Sequence, residues 1–187
     1  MADTIGRYGT VYQAGHQRRS VGSYRFQVEA VRRGMIGKVE TVVCQMWEGP
    51  TVAPEKPRPV PAGFDYDMWI GPTPWHPFTN AHVNGWNYFW DTGAGPLIGM
   101  GCHYTDIAQW GLLRDETGPV TYEGTATWKP DAFSETPVTA DCTCTYADGV
   151  KLVLRSSGTF ADRYIRFVGS DGWVQVDDHT NAVTAEP

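Results

Sequence analysis

The 187-residue chain has no cluster of basic side chains larger than pairs such as Arg18-Arg19 and Arg32-Arg33, and its 15 Lys and Arg are outnumbered by 21 Asp and Glu. Binding driven by counterion release from a phosphate backbone needs the opposite balance, so no nucleic-acid partner is expected. No apolar run approaches the roughly 20 residues that cross a bilayer, which removes the membrane as a partner. The opening residues, Met1-Ala-Asp-Thr-Ile-Gly-Arg-Tyr8, lack the basic stretch followed by an apolar one that marks a secretion signal, and a cytoplasmic chain is expected. Cysteine is scarce, four residues in all, too few for a stapled scaffold. Cys142 and Cys144 lie two apart in an expected strand, so they share a face and do not bridge each other. No pair has C-x-x-C spacing, which leaves no metal site assigned and predicts reduced, half-buried thiols.

A nucleotide cradle is missing as well. A nicotinamide site needs a strand, a G-x-G-x-x-G turn and a helix whose N-terminus takes the pyrophosphate. Gly93-Ala-Gly95 begins correctly, but Ile98 stands where the third glycine belongs and no strand precedes it; Gly99-Met-Gly101 fails similarly at Tyr104. There is no Walker-type run, no Tyr-x-x-x-Lys pair, and neither Ser20 nor Ser134 sits in a nucleophile elbow. No cofactor is therefore expected to bind to this chain itself.

What is present is a core-forming composition: 41% hydrophobic, 13% aromatic with eight tryptophans, and only 19% charged. That excludes a disordered, solvating chain and points to one domain whose surface meets a ligand or another subunit. Residues 2–8 read as the end of a helix and 10–14 as a short strand. Ser23 is the expected N-cap of a helix running to Arg33, with Phe26, Val28, Ala30 and Val31 as its apolar stripe. Residues 39–46 form a β-branched strand. From 48 to 63 five prolines predict an extended loop, and 65–90 an irregular aromatic segment with short helical turns. An apolar helix is expected over 97–113. Strands follow at 121–128, 138–146, 151–157, 163–169 and 173–177, with Asp148-Gly149 as a hairpin turn. The fold class is α+β: an open, mostly antiparallel sheet of about six strands with helices on one face. Thr121, Glu123, Thr125 and Thr127 share a face, as do Thr139, Asp141, Thr143 and Thr145. This polar, flat surface is expected to be a homo-oligomer contact, since the helices cover only the other side.

Chemistry concentrates in Gly101-Cys-His103-Tyr-Thr-Asp106. His103 and Asp106, three apart on one helix, project together, and a histidine beside a carboxylate can move a substrate proton near neutral pH. Trp75, His76, Trp86 and Tyr88 offer flat platforms for sugar rings, with Asn84, Asn87 and Asp91 as hydrogen-bonding neighbours. Arg18 and Arg19 offer planar donors to hydroxyls or anions. Each of these also has a purely structural reading: a locally bonded histidine, a pairing aspartate, core rings, surface charge.

Four ordered blocks carry a resemblance: Tyr12-Gln-Ala-Gly-His-Gln-Arg-Arg-Ser20, Gly34-Met-Ile-Gly-Lys-Val39, Gly63-Phe-Asp-Tyr-Asp-Met-Trp-Ile-Gly-Pro72, and the stretch from Gly93 through His103 to Trp110, with Gly169-Ser-Asp-Gly-Trp-Val174 at the end. In these the sequence resembles the Gfo/Idh/MocA oxidoreductases. The resemblance implies that residues 1–14 are a remnant of a Rossmann domain. It makes 15–187 the substrate-binding and oligomerisation domain, of the dihydrodipicolinate-reductase-like C-terminal type and shortened at its end. NAD(P) would then come from a Rossmann domain outside this chain, and the substrate would be a sugar or cyclitol. Two departures stand out. Glu55-Lys56-Pro57 has the letters of the family's Glu-Lys-Pro motif but lies in the proline loop, so its role is not transferred. The family's D-x-G-x-H becomes Gly99-Met-Gly-Cys-His103, keeping the histidine and losing the aspartate. The expected function is the substrate side of an oxidoreductase, inactive alone. The alternatives are a non-enzymatic carbohydrate-binding dimerising module and a cofactor-independent lyase or isomerase working through His103.

Overall fold

A computed structural model describes residues 1–186. Seven strands form one sheet: β1 (Val39–Met46), β2 (Thr121–Thr127), β3 (Thr139–Thr145), β4 (Lys151–Ser156), β5 (Tyr164–Gly169), β6 (Gly172–Asp177) and β7 (Val183–Glu186). Their order is β2-β3-β4-β1-β5-β6-β7. Only β1 and β4 run parallel; every other neighbouring pair is antiparallel. The expected α+β class with an open sheet is what forms.

Period-two alternation sends Val42, Cys44 and Met46 of β1, Ile165 and Phe167 of β5, and Val174 and Val176 of β6 to the same side, all buried. Two helices cover them, α2 (Gly22–Arg32) and α6 (Gly101–Gly111), the other α-helices being α1 (Ala2–Tyr8), α3 (Tyr66–Ile70), α4 (Asn80–Asn84) and α5 (Gly95–Gly99). Their buried faces share one spacing: Tyr24, Gln27, Val28 and Val31 on α2, and Tyr104, Ile107, Ala108 and Gly111 on α6, the i, i+3, i+4, i+7 stripe of a half-buried helix. At Gly111 the helix comes so close to the sheet that a Cβ would lie 2.6 Å from the Phe167 ring. Among the described residues the helices pack on this side of the sheet, not on the opposite face. There Thr121, Glu123, Thr125 and Thr127 stand directly across from Thr145, Thr143, Asp141 and Thr139.

Five local expectations change. Val21, not Ser23, caps α2, and no side chain bonds the helix start. Phe26 points to solvent at 55% exposure, and its place in the stripe is taken by Tyr24 and Gln27. The 10–14 strand does not form: a strand needs a partner, and this exposed segment finds none among the described residues. The 97–113 helix is split at Met100 into α5 and α6, where Gly99 and Gly101 flank the break with weak helix formers. Finally, β7 had no apolar alternation to announce it; none of its residues is buried.

Residues 48–92 form a separate layer of loop. Its two α-helices are five residues each, and its own small core is Tyr66, Ile70 and Phe78, with Phe64, Trp69 and Val83 packed around. The Arg58 N–H donates to the Phe78 carbonyl within it, and two bonds tie it to the rest: the Phe133 N–H to the Val52 carbonyl and the Gly49 N–H to the Val138 carbonyl. The four cysteines are free thiols, with the Cys142 and Cys144 sulfurs 3.8 Å apart on one face of β3. Burial pushes the Cys144 thiol up to about 12.

Candidate functional site

The break at Met100 opens the first hollow. Trp47 at the end of β1, Trp86, Asn87 and Tyr88 from a 3-10 turn, Gly95, Pro96 and Gly99 of α5, Met100 and His103 line about 260 Å³. Gly95 adopts φ +78, and a Cβ there would sit 2.9 Å from Thr136, so the turn into α5 relies on its glycine. His103 stands in the first turn of α6. Its buried Nδ1 has no hydrogen-bond partner among the described residues, and its ring meets His16 edge-on at 5.9 Å. Burial, then the charge of Arg18 and the nearness of His16, hold its pKa below the ordinary histidine value. At neutral pH it is therefore an uncharged imidazole, able to accept a proton.

Among the described residues the hydrogen bonds of Asp106 go elsewhere than to His103. Its two oxygens are gripped by Arg19 at 2.7 and 2.8 Å, with His16 Nδ1 at 3.2 Å; Arg19 also reaches Asp115 at 2.9 Å. Arg18 is likewise committed, in a two-pronged pair with Asp178 at 2.8 Å for each bond. Tyr24 donates its hydroxyl to the same carboxylate, and Arg163 lies 3.4 Å away. Burial raises the Asp178 pKa, but the bonds from Arg18 and Tyr24 outweigh it and the net shift is downward. Both arginines are thus engaged in ion pairs within the chain. These pairs lock the entry to α2 against α6 and the end of β6, and so fix the helix that carries His103.

The four aromatic candidates divide. Trp86 and Tyr88 line the His103 hollow, whereas Trp75 and His76 line a second one of about 370 Å³ with Glu55, Thr79, His82, Phe89, Asp91, Phe133 and Glu135. There His82 is stacked between His76 at 3.8 Å and Phe89 at 4.0 Å. One ligand atom each from His76, His82 and Asp91 lies within 4.8 Å of the others, a geometry open to a metal ion. Sequence reading missed His16, His82, Glu135, Tyr24 and Asp178. His76-x5-His82 sits at the upper limit of the usual H-x3–5-H ligand spacing and is the signal that could have found the pair, whereas Asp178 pairs with Arg18 across 160 positions.

An open sheet shielded on one face by helices, with a histidine at a helix start facing a hollow, makes this an α+β domain with a ligand-sized recess at the helix–sheet seam. Residues 36–181 match the model of an oxidoreductase family, described as its C-terminal alpha/beta domain, and the chain belongs to that Gfo/Idh/MocA family. No curated protein matches the sequence significantly. Among solved structures it is similar to aldose-aldose oxidoreductase from Caulobacter crescentus complexed with glycerol (TM-score 0.67, 17% identity, 99% of this chain and 48% of that one). It is also similar to the WlbA dehydrogenase from Bordetella pertussis in complex with NADH and UDP-GlcNAcA (0.66, 13%, 100% and 51%). A third is myo-inositol 2-dehydrogenase from Lactobacillus plantarum (0.62, 19%, 95% and 45%). These likenesses show the fold, and the chain spans about half the length of the structures it matches. No helix among the described residues is long and apolar enough to cross a membrane.

Proposed function

We propose that this domain holds a sugar or cyclitol in the hollow at the start of α6 and presents His103 as the group that exchanges a proton with a substrate hydroxyl. The observation that carries the reading is one residue in one place: a half-buried, neutral histidine on the wall of a recess whose other walls include Trp47, Trp86 and Tyr88. Indole and phenol faces suit the apolar side of a polyhydroxylated ring, and Asn87 supplies an amide to its hydroxyls. A volume of about 260 Å³ falls just under the roughly 300–1,000 Å³ of drug-sized pockets, the size for one ring. The names of the solved relatives, with an aldose and an inositol among their substrates, support the same chemical class.

In this reading the chain supplies binding and proton movement, and hydride leaves to NAD(P) held by a Rossmann domain outside it. Asp106 then serves by anchoring Arg19 and His16 beside the histidine, a positioning role. Domain assembly uses the uncovered Thr-lined face of β2 and β3.

Titrating the purified chain with a panel of monosaccharides and cyclitols, read by calorimetry and tryptophan fluorescence, tests it. At least one ring compound should bind and protect Trp86, with Trp86→Ala weakening binding tenfold or more. NAD+ and NADP+ should not bind at micromolar concentration. Nucleotide binding would sink the division of labour, and turnover without nicotinamide that is lost in His103→Ala would favour a lyase or isomerase instead.

A further inference from the structure

The second hollow is separate from the His103 recess and carries its own chemistry. Three buried atoms converge there without a hydrogen-bond partner among the described residues: Nε2 of His76, Nε2 of His82 and Oδ1 of Asp91. Leaving three such groups unsatisfied in one place costs free energy that a protein ordinarily avoids. They lie within 4.8 Å of one another, and His82 Nε2 is 3.8 Å from Asp91 Oδ1, beyond hydrogen-bond reach.

From this convergence we propose that His76, His82 and Asp91 form a binding site for one divalent transition-metal ion of the zinc type, with its remaining position open to the hollow. Two imidazoles and one carboxylate are a donor set that suits such ions, and three protein ligands leave room for water or a ligand hydroxyl. Tetrahedral zinc with ligands at about 2.0–2.1 Å places them roughly 3.3 Å apart. Because the His76 and His82 rings are stacked at 3.8 Å and 15°, their lone pairs run side by side, and binding requires the half-buried His76 ring to turn out of the stack so that its Nε2 and Asp91 Oδ1 converge on His82 Nε2.

The surroundings fit that reading. The Tyr66 oxygen lies 3.0 Å from His76 Nδ1 and 3.1 Å from the His76 carbonyl. A hydroxyl has one proton; donated to the carbonyl, it leaves the oxygen to accept Nδ1–H, which puts the free lone pair on Nε2. Glu135 lines the same hollow and adds negative charge, while the neighbouring Glu55 is already paired with Arg58.

The test uses untagged, chelator-stripped chain. Zinc should bind at one equivalent with submicromolar affinity, and cobalt(II) should show the intense visible bands of a four-coordinate ion. Asp91→Asn and His82→Gln should each weaken zinc at least 100-fold, Tyr66→Phe about tenfold, and His179→Ala not at all. Because His82 is packed between two rings, Asp91→Asn carries the test if His82→Gln does not fold. Absence of stoichiometric zinc, wild-type affinity in Asp91→Asn, or the near-ultraviolet thiolate charge transfer of cobalt bound at Cys142 and Cys144 would each overturn the proposal.

Discussion

The helix-covered sheet and the 48–92 segment are both rich in aromatic residues, yet they are held by different forces. In the sheet layer, Tyr24, Tyr104, Ile107, Phe167 and their neighbours interlock into one continuous core of fully buried side chains. Residues 48–92 bury little by comparison: Trp75 is 67% exposed and Trp90 53%. Their order rests on a cluster of three buried side chains, a few backbone bonds and polar pins such as Glu55 on the Ala81 N–H. Apolar burial scales with area removed from water, so the two parts should differ in how far a local injury spreads. Both hollows lie where the loosely held part meets or encloses polar side chains, which is where a ligand can add order.

The largest expected effect separates the two cores. Phe167→Ala removes a fully buried ring beneath Gly111 and should cost about 3–5 kcal/mol of global stability, read as a lower denaturation midpoint with unchanged slope. Phe78→Ala, buried only in the small cluster, should instead open residues 65–83 to limited proteolysis while the far-ultraviolet spectrum and the main transition stay close to wild type. If Phe78→Ala lowers the global midpoint as far as Phe167→Ala, the segment is part of one cooperative core and the distinction fails.

A smaller effect should follow acid. His82, in the segment, has a lowered pKa from burial and then from His76, while Asp178, in the sheet layer, has a lowered one because Arg18 and Tyr24 outweigh burial. A depressed histidine gives stability that is whole above its unfolded value of about 6.5 and is lost as pH falls toward the folded value. A depressed aspartate gives stability that is whole above about 3.9 and is lost only below that. With chelator present, tryptophan fluorescence, half of whose indoles (Trp69, Trp75, Trp86 and Trp90) lie in the segment, should therefore change from about pH 6.5 downward, and the sheet's far-ultraviolet signal only below about pH 4. His103, at the seam, shifts in the same direction as His82. His82→Gln should flatten most of the upper phase; simultaneous loss of both signals in wild type would break the comparison.

The two parts were also unequally legible. β1 falls on the residues its β-branched run predicted, 39–46, and the Asp148-Gly149 turn joins β3 to β4 with Gly149 at φ +88, because period and turn chemistry are local signals. Ser23 and Phe26 misled for the opposite reason: α2 turns by what it packs on, and Gln27 is drawn inside to donate to the Ile165 and Val174 carbonyls, a partner no window of sequence contains. At the site, His103 could be singled out from its helix, but the pairing of Asp106 could not. Arg19 lies 87 residues away and wins that carboxylate with two charge-assisted bonds, which no i, i+3 argument weighs. His82 stood in a legible H-x5-H pair with His76, but Asp91, Phe89 and Glu135 are gathered around it by loops that no spacing announces.

The smallest effect on stability is expected on the uncovered sheet face, and it is the one that bears on assembly. Thr143 sits in the middle of that face, opposite Glu123 on β2 and Val153 on β4. Thr143→Arg places a cation across from Glu123, a favourable cross-strand pair, and leaves the helix side untouched, so stability should stay within about 0.5 kcal/mol of wild type. A flat contact between two copies of this face tolerates neither the bulk nor the buried charge. Sedimentation velocity should then show wild-type oligomer and Thr143→Arg monomer at equal thermal midpoints. An unchanged oligomer would move the contact elsewhere, β2 being an edge strand with Tyr122 65% exposed and its outer backbone groups free to pair with a second copy; a Pro at position 125 would then be the disruptive change, because it removes a donor from the ladder rather than altering the face.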